Sequence, residues 1–407
     1  MVDYITYEDT IIFSPEFNKS LESELLLNYK KIIFSNYQLN NYLFKAYENN
    51  NLNNFKYISS KFNQHLTNSL DKLTSLTHLT FGLHFNNPLD NSLGSLTSLT
   101  HLTFGSDFNK PLVNSLDKLI LLTHLTFGFC FDQSLTNSLD KLISLTHLKL
   151  GFDFNQPLNN SLGSLTSLTH LTFGFHFNNP LDNSLVCLTS LTHLTFGEYF
   201  NQPLSNSLES LTSLTHLTFG CDFNKNLNNS LDSLSSLTHL TFGYCFNQSI
   251  NNYLDGLTSL THLSFGYKFN QPLNNSLDKL ISLTHLTLSY HFNQKNDLPT
   301  NIKSISINCN NSYYIDFLPS SIEEIELGLK FVLELDNLPG SVKKISFNKK
   351  SDYNKELNCL PNGLEILELP ERYNLQIKNI PKGLKKLICD KDYQFINDYA
   401  DLEVEAY

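Results

Sequence analysis

Residues 76–99 read Leu-Thr-His-Leu-Thr-Phe-Gly-Leu-His-Phe-Asn-Asn-Pro-Leu-Asp-Asn-Ser-Leu-Gly-Ser-Leu-Thr-Ser-Leu, and the last leucine opens the next Leu-Thr-His-Leu. The tripeptide Thr-His-Leu recurs with its histidine at His78, His101, His124, His147, His170, His193, His216, His239, His262 and His285, each 23 residues after the last. A phenylalanine keeps the same interval from Phe62 to Phe292. Self-similarity at such a period marks a repeat array, in which one unit cannot bury its apolar side chains without its neighbours. From Leu76 the apolar positions are Leu79, Phe81, Phe85, Leu89, Leu93, Leu96 and Leu99, at steps of 3, 2, 4, 4, 4, 3 and 3. The single step of two, Leu79 to Phe81, predicts a short strand with both side chains inward. Thr and Phe suit such a pleated site. Steps of three and four predict turns and a short helical or 3₁₀ segment on the return path, with Asn91 and Ser92 placed to cap it. One strand and one return per unit implies parallel strands stacked about 4.8 Å apart. The expected fold is an α/β-type repeat solenoid, with one short parallel strand per turn and turns, 3₁₀ or short helical segments on the convex side.

The periodicity divides the chain. Residues 64–297 are the regular block. Residues 298–389 repeat Leu-Pro-x-x-Ile-x-x-Ile-x-Leu loosely, with Pro299, Pro319, Pro339, Pro361 and Pro381 marking the beat. Residues 1–63 are expected to be degenerate repeats or a cap. Thr10 to Phe13 precedes Phe17-Asn18 as Thr80-Phe81 precedes Phe85-Asn86, and Leu39-Asn40-Asn41-Tyr42-Leu43 echoes Ile250 to Leu254. Against that, Leu21 to Phe34 is rich in Leu, Glu and Lys, as a helical cap would be. Residues 390–407 form an acidic tail or cap, expected to close the last turn.

Composition narrows the class of function. A single core stops growing near about 250–300 residues, so 407 residues in one array reflects stacking. Charged residues are 16% of the chain, low against the usual ~25%. A net charge of −11 disfavours a phosphate-binding face, which needs clustered Lys and Arg; no nucleic-acid partner is expected. The first 25 residues show no basic start followed by an apolar run, and no stretch reaches ~18 apolar residues, so neither a signal peptide nor a membrane span is expected. The seven cysteines, Cys130, Cys187, Cys221, Cys245, Cys309, Cys359 and Cys389, form no Cys-x-x-Cys pair and read as reduced thiols of an intracellular protein. Cys221 and Cys245 fall in adjacent repeats, one position out of register.

The run from Thr192 to Leu204, Thr-His-Leu-Thr-Phe-Gly-Glu-Tyr-Phe-Asn-Gln-Pro-Leu, resembles the FNIP repeat, a relative of the leucine-rich repeat found in amoebal proteins and in giant viruses that infect amoebae. The resemblance is specific over 77–293. It is weaker over 298–389, where Leu-Pro-Ser-Ser-Ile at 318–322 and Leu-Pro-Gly-Ser-Val at 338–342 match the family's Ile-Pro-x-Ser-Val loosely. In the regular block Asn-Ser-Leu stands where the family has Ile-Pro, and Leu150 and Leu288 replace phenylalanine. The resemblance implies a leucine-rich-repeat-like solenoid that binds protein, in some members as the substrate-recognition arm of a ubiquitin-ligase adaptor carrying an N-terminal F-box. Residues 1–60 lack the Leu-Pro opening and helical pattern of that box. A cytoplasmic location, in the host if the source is viral, is implied in the same way. Leu76-x-x-Leu79-x-Phe81 fits the general leucine-rich pattern, but the ladder asparagine comes late, at Asn86, so the turn after the strand is expected to be long.

Three columns carry the candidate sites. The histidines, among them His147, His170, His193 and His216, alternate with inward leucines and are expected outward on the concave sheet as a polar ladder. Two neighbouring rings could grip a metal, but no carboxylate or thiol column shares their register, so no metal is assigned. Charged rings ~5 Å apart repel, so folded pKa values below ~6.5 and loss of stability on acidification are expected. The asparagines Asn86, Asn109, Asn155, Asn178, Asn201, Asn224, Asn247 and Asn270, interrupted by Asp132, are expected to bond backbone groups of adjacent turns. The two residues between Gly and Phe-Asn vary. There Phe129, Phe152, Phe175 and Tyr199, and then Tyr244, Tyr267 and Tyr290, either tuck under the turn or form a partner-binding edge. No phosphate loop, nucleophile elbow or His-Glu-x-x-His is present. The expected function is a non-enzymatic protein-binding scaffold without a cofactor. The alternative is a structural element that associates with itself, and a histidine-metal hydrolase is a distant third.

Overall fold

A computed structural model of the chain describes residues 2–40 and 42–407. It divides into two compact units, the first ending at Leu214 and the second running Thr215–Tyr407. Both are parallel β-solenoids. In the first, each repeat supplies a three-residue strand: His78–Thr80, His101–Thr103, His124–Thr126, His147–Lys149, His170–Thr172 and His193–Thr195. Adjacent strands are parallel with no slip, so that His78, Leu79 and Thr80 lie opposite His101, Leu102 and Thr103. The second unit begins the same way, with His216–Thr218, His239–Thr241, His262–Ser264 and His285–Leu288. It continues through Ser304–Ile307, Glu324–Leu327, Lys344–Phe347, Ile366–Glu368 and Lys386–Cys389, each parallel to the one before.

The leucine and phenylalanine spacing is what holds each turn. Leu76, Phe85, Leu89, Leu93 and Leu96 have no exposed surface, and Leu79 and Phe81 only 1% and 2%. Burying each such side chain fully contributes about 1.5–3 kcal/mol. Phe81 stacks on Phe85 of its own turn with ring centroids 4.0 Å apart. Phe85 then faces Phe108 of the next turn at 6.0 Å, so two phenylalanine columns run through the core.

The return path is built from turns alone: among the described residues, the regular block contains no α- or 3₁₀-helix. Ser92 N–H donates to Leu89 O at 2.7 Å, Leu96 N–H to Leu93 O at 3.0 Å and Leu99 N–H to Leu96 O at 2.9 Å. Three residues per turn keep Leu93, Leu96 and Leu99 on one inward face, which an α-helical 3.6 would not. Asn91 and Ser92 therefore cap no helix. The Asp-Asn pair takes a different job, supplying left-handed backbone at Asp90 (φ 44°), Asn159 (φ 43°) and Asp182 (φ 43°), or at the neighbouring position in Asn114 (φ 61°) and Asn137 (φ 58°). Short polar side chains tolerate that conformation best after glycine.

The ends differ from the middle. Thr10–Phe13 and Lys31–Phe34 are parallel strands that continue the stack, with Lys31 opposite His78. Tyr4–Tyr7 folds back antiparallel on Thr10–Phe13 and covers the row of backbone groups that an edge strand would leave open. Within Leu21 to Phe34 only Ser23–Leu26 is helical, while a second helix, Leu43–Glu48, lies between the last of these strands and the regular block. Of the Leu39 to Leu43 echo, Asn41 lies outside the described residues. At the other end Glu403–Ala406 adds a final parallel strand to Lys386–Cys389. Beyond His285 the face changes to charge, with Glu323 between Lys303 (3.2 Å) and Lys343 (2.7 Å).

Candidate interaction faces

Each histidine of the column sits on a strand between buried Leu and outward Thr; those from His78 to His262 are half-buried by their neighbours, and His285 is exposed. In the first unit the rings stack with centroids 4.1 Å apart for His78 and His101, and 4.2 Å for His147 with His170 and His170 with His193. In the second unit His216 and His239 stand at 4.3 Å. The threonine before each histidine orients it. Thr100 Oγ1 donates its hydrogen to Thr77 O at 3.0 Å and lies 2.9 Å from His101 Nδ1. Thr123, Thr146, Thr169 and Thr192 repeat the arrangement. A hydroxyl has one hydrogen, and here the carbonyl takes it, so Nδ1 must carry its own hydrogen and donate to the threonine oxygen. That assignment leaves Nε2 as the bare acceptor of each neutral ring.

Burial disfavours the charged form at five of these rings, His78, His101, His124, His147 and His262. Loss of water around the charged form, reinforced by repulsion from His78 and His147, lowers the pKa of His101 to about 4. His262 is lowered to about 4 for the same reason, with His285, His239 and His216 adding repulsion. Burial likewise lowers His78, His124 and His147. Desolvation leads in all five; the ring-to-ring repulsion that the spacing suggests adds less, and at His78 the Lys31 charge outranks it.

The asparagine column lies beyond the strand. Asn86 Oδ1 accepts Asn109 N–H at 2.9 Å, Asn155 Oδ1 accepts Asn178 N–H at 2.9 Å, and Asn178 Oδ1 accepts Asn201 N–H at 2.9 Å. In the second unit Asn224 accepts from Asn247 at 2.9 Å, and Asn247 from Asn270 at 2.8 Å. The bond asks the side chain only for an acceptor, which is why Asp132 keeps it, accepting Asn155 N–H at 2.9 Å. Gln202 Nε2 donates to Asn178 Oδ1 as well, at 3.1 Å. Because Asn178 is exposed, water replaces part of what its loss removes. Asn178→Ala is expected to cost about 1 kcal/mol, at the low end for a hydrogen-bonded side chain, read as a shift of the urea midpoint; no shift would mean water replaces the bond fully.

The variable pair after the glycine faces out. Its backbone couples neighbouring turns diagonally: the second residue of one turn donates to the first of the turn before, as Tyr199 N–H does to Phe175 O at 3.0 Å. In the first unit Phe129 stacks on Phe152 at 4.1 Å, Phe152 on Phe175 at 4.4 Å, and Phe175 meets Tyr199 edge-on at 4.9 Å. Phe129 is 48% exposed and Tyr199 46%, so these rings do not tuck into the core. In the second unit Tyr244, Tyr267 and Tyr290 form a second stack at 4.6 and 4.7 Å.

Two features lay outside what spacing alone suggested. One is the threonine partner of each histidine; the constant Thr before His was its only signal. The other is a cleft of about 420 Å³ in the first unit, lined by Tyr7, Asp9, Lys31, Tyr47, Glu48 and His78 among others. It is formed where the antiparallel strand and the helix Leu43–Glu48 rise beside the sheet, an arrangement the 23-residue beat does not encode.

A family model described as FNIP Repeat matches residues 292–330. The chain also matches the crystal structure of CroV588, described as a novel circular LRR protein, at 29% identity and TM-score 0.58, over 95% of this chain and 67% of that one. This is an FNIP and leucine-rich-repeat-type protein. The FNIP match begins at the last residues of the regular block, where Phe292-Asn293-Gln294 is followed by Leu298-Pro299 and Ile302. Two further solved structures share the solenoid fold with this FNIP-type chain. They are an internalin of Listeria monocytogenes (18% identity, TM-score 0.54, 69% of this chain and 83% of that one) and TLR13 in complex with ssRNA13 (14%, 0.63, 95% and 62%). No curated protein matches the chain. Among the described residues no helix is long and apolar enough to cross a membrane.

Proposed function

We propose that this repeat protein is a non-enzymatic scaffold that binds a protein partner through the aromatic edge of its regular repeats. The observation that carries the reading is the stacked ridge Phe129, Phe152, Phe175 and Tyr199, with Phe129 48% exposed. Aromatic rings held against one another offer large contact area at little further loss of freedom, as interface anchors do. The histidine faces beside it supply ring nitrogens for hydrogen bonding, with His147, His170 and His193 on the first unit and His216 on the second. Tyr244, Tyr267 and Tyr290 offer a second anchor line. A net charge of −11 favours a protein over a nucleic acid, whose phosphates demand clustered cations.

In its finer form the reading makes the solenoid the substrate-recognition arm of a ubiquitin-ligase-type adaptor in the cytoplasm, which rests on the FNIP resemblance. The test is affinity capture with the full chain and with Phe129→Ser/Phe152→Ser. A stoichiometric partner is expected to bind the double variant about 30-fold more weakly, the loss of roughly 2 kcal/mol typical of one interface hot spot. Ligase subunits in the captured set support the adaptor form. Undiminished binding by the variant defeats the aromatic edge, and recovery of the chain alone, as a self-associated species, favours the structural alternative.

A further inference from the structure

We propose that Cys221, Asp222 and Cys245 form a binding site for a thiophilic divalent cation of the zinc class, joining two successive turns of the second unit. One potential donor atom from each residue lies within 4.8 Å of the other two, with Cys245 Sγ 4.0 Å from Asp222 Oδ1. Tetrahedral zinc with bonds of about 2.3 Å to sulfur and 2.0 Å to oxygen places its donors roughly 3.5–4 Å apart. The three side chains are half-buried, so small rotations about their first side-chain torsions close the difference.

The framework that gathers them is the diagonal coupling of the variable pairs. Cys221 holds the first position of its turn and Cys245 the second position of the next, and Cys245 N–H donates to Cys221 O at 2.8 Å. A register of 24 residues, not 23, is what brings two thiols together. This is why their spacing shows no ligand motif in the sequence, and why the strict columns carry no thiol pair.

The donor set and the charge both favour such an ion. Two sulfurs and one carboxylate oxygen select zinc-like cations over calcium or magnesium, which take oxygen ligands. Binding releases one proton from each thiol to solvent and places two thiolates and a carboxylate, three negative charges, around the metal. The two charges of the cation, with the Lys268 ammonium 3.7 Å from Cys245 Sγ, neutralise that set. The fourth tetrahedral position faces solvent and takes a water.

Cobalt(II) titration of the full, reduced chain tests the site. One equivalent is expected to produce the intense near-ultraviolet band of a thiolate–cobalt bond together with tetrahedral visible bands, and zinc is expected to displace both. Cys221→Ser or Cys245→Ser should remove about half of the charge-transfer intensity, which follows the number of sulfur ligands, and the double variant all of it. Cys130→Ser and Cys187→Ser should leave it unchanged. On the unaltered chain, zinc should shield Cys221 and Cys245 from alkylation, mapped by peptide mass, while the exposed Cys359 still reacts. A reduced chain whose spectrum cobalt leaves unchanged, a band that survives in the double variant, or equal alkylation with and without zinc would each overturn the assignment.

Discussion

Gly174→Ala is expected to destabilise the first unit by about 4 kcal/mol or more, in the range reached only when a substitution forces the backbone apart. A β-carbon built on Gly174 would lie 1.7 Å from Gly151 O and 2.9 Å from Gly151 C. Those are backbone atoms of the turn below, and no rotamer change moves them. The glycine is required by closeness and not by conformation, since among the described residues no glycine has a positive φ. Gly105, Gly128, Gly197, Gly243 and Gly266 face the same obstruction, each from a carbonyl of the preceding turn. The reason lies in the stacking: where each turn leaves the strand, its backbone crosses directly over its predecessor, and a methyl group has no volume to occupy. Urea unfolding followed by circular dichroism measures the loss, and limited proteolysis should show new cleavage in the turns on either side. Gly340, where a β-carbon would meet nothing within 4 Å, is the control. There alanine should be neutral or stabilise by up to about 1 kcal/mol, through a less flexible unfolded chain. An unchanged midpoint for Gly174→Ala would mean the turns can spread at no cost, and the stacked packing described above would be wrong.

Acid should weaken the fold through the histidine column. His101 and His262 have folded pKa values near 4, against about 6.5 in the unfolded chain. The unfolded chain therefore binds more protons between these values. The contribution of each ring is full above pH ~6.5, declines as pH falls below it, and is exhausted as pH passes through about 4. At pH 5 the unscreened loss for either ring is about 2 kcal/mol, and solvent around these half-exposed groups reduces it to about 1 kcal/mol. His78, His124 and His147 shift in the same direction and add to the effect. Thermal unfolding from pH 7.5 to 4 should show a falling midpoint, steepest between pH 6.5 and 5. Replacing His101 and His124 by Gln should flatten that slope, because Gln does not titrate. A midpoint constant across the range would show that the rings charge without penalty, which stacking at 4.2 Å forbids.

The core needed little beyond the spacing. Leu76, Leu79, Phe81, Phe85, Leu89, Leu93 and Leu96 are all buried, as their steps require, because only one winding turns every one of them inward. The sites were less legible. The histidine positions followed from alternation with leucine, yet their protonation is governed mainly by desolvation, a property of depth and not of spacing. The aromatic residues after the glycine could have pointed either way from sequence alone, since no alternation reaches into a turn. The cleft near His78 and the thiol pair at Cys221 and Cys245 depend on chain segments that leave the 23-residue register, one by an antiparallel strand and a helix, the other by a diagonal hydrogen bond.

From the chain's covalent order alone come the length of one turn, the identity of its inward side chains and the parallel pairing of like with like, because a repeated pattern of apolar residues admits one self-consistent stack. The tertiary structure alone decides what lies between turns. Which hydroxyl sets each imidazole's tautomer, how closely a glycine passes over the carbonyl below, and which side chains meet across a one-residue offset are distances between residues far apart in sequence, and they take values only once neighbouring coils are in contact.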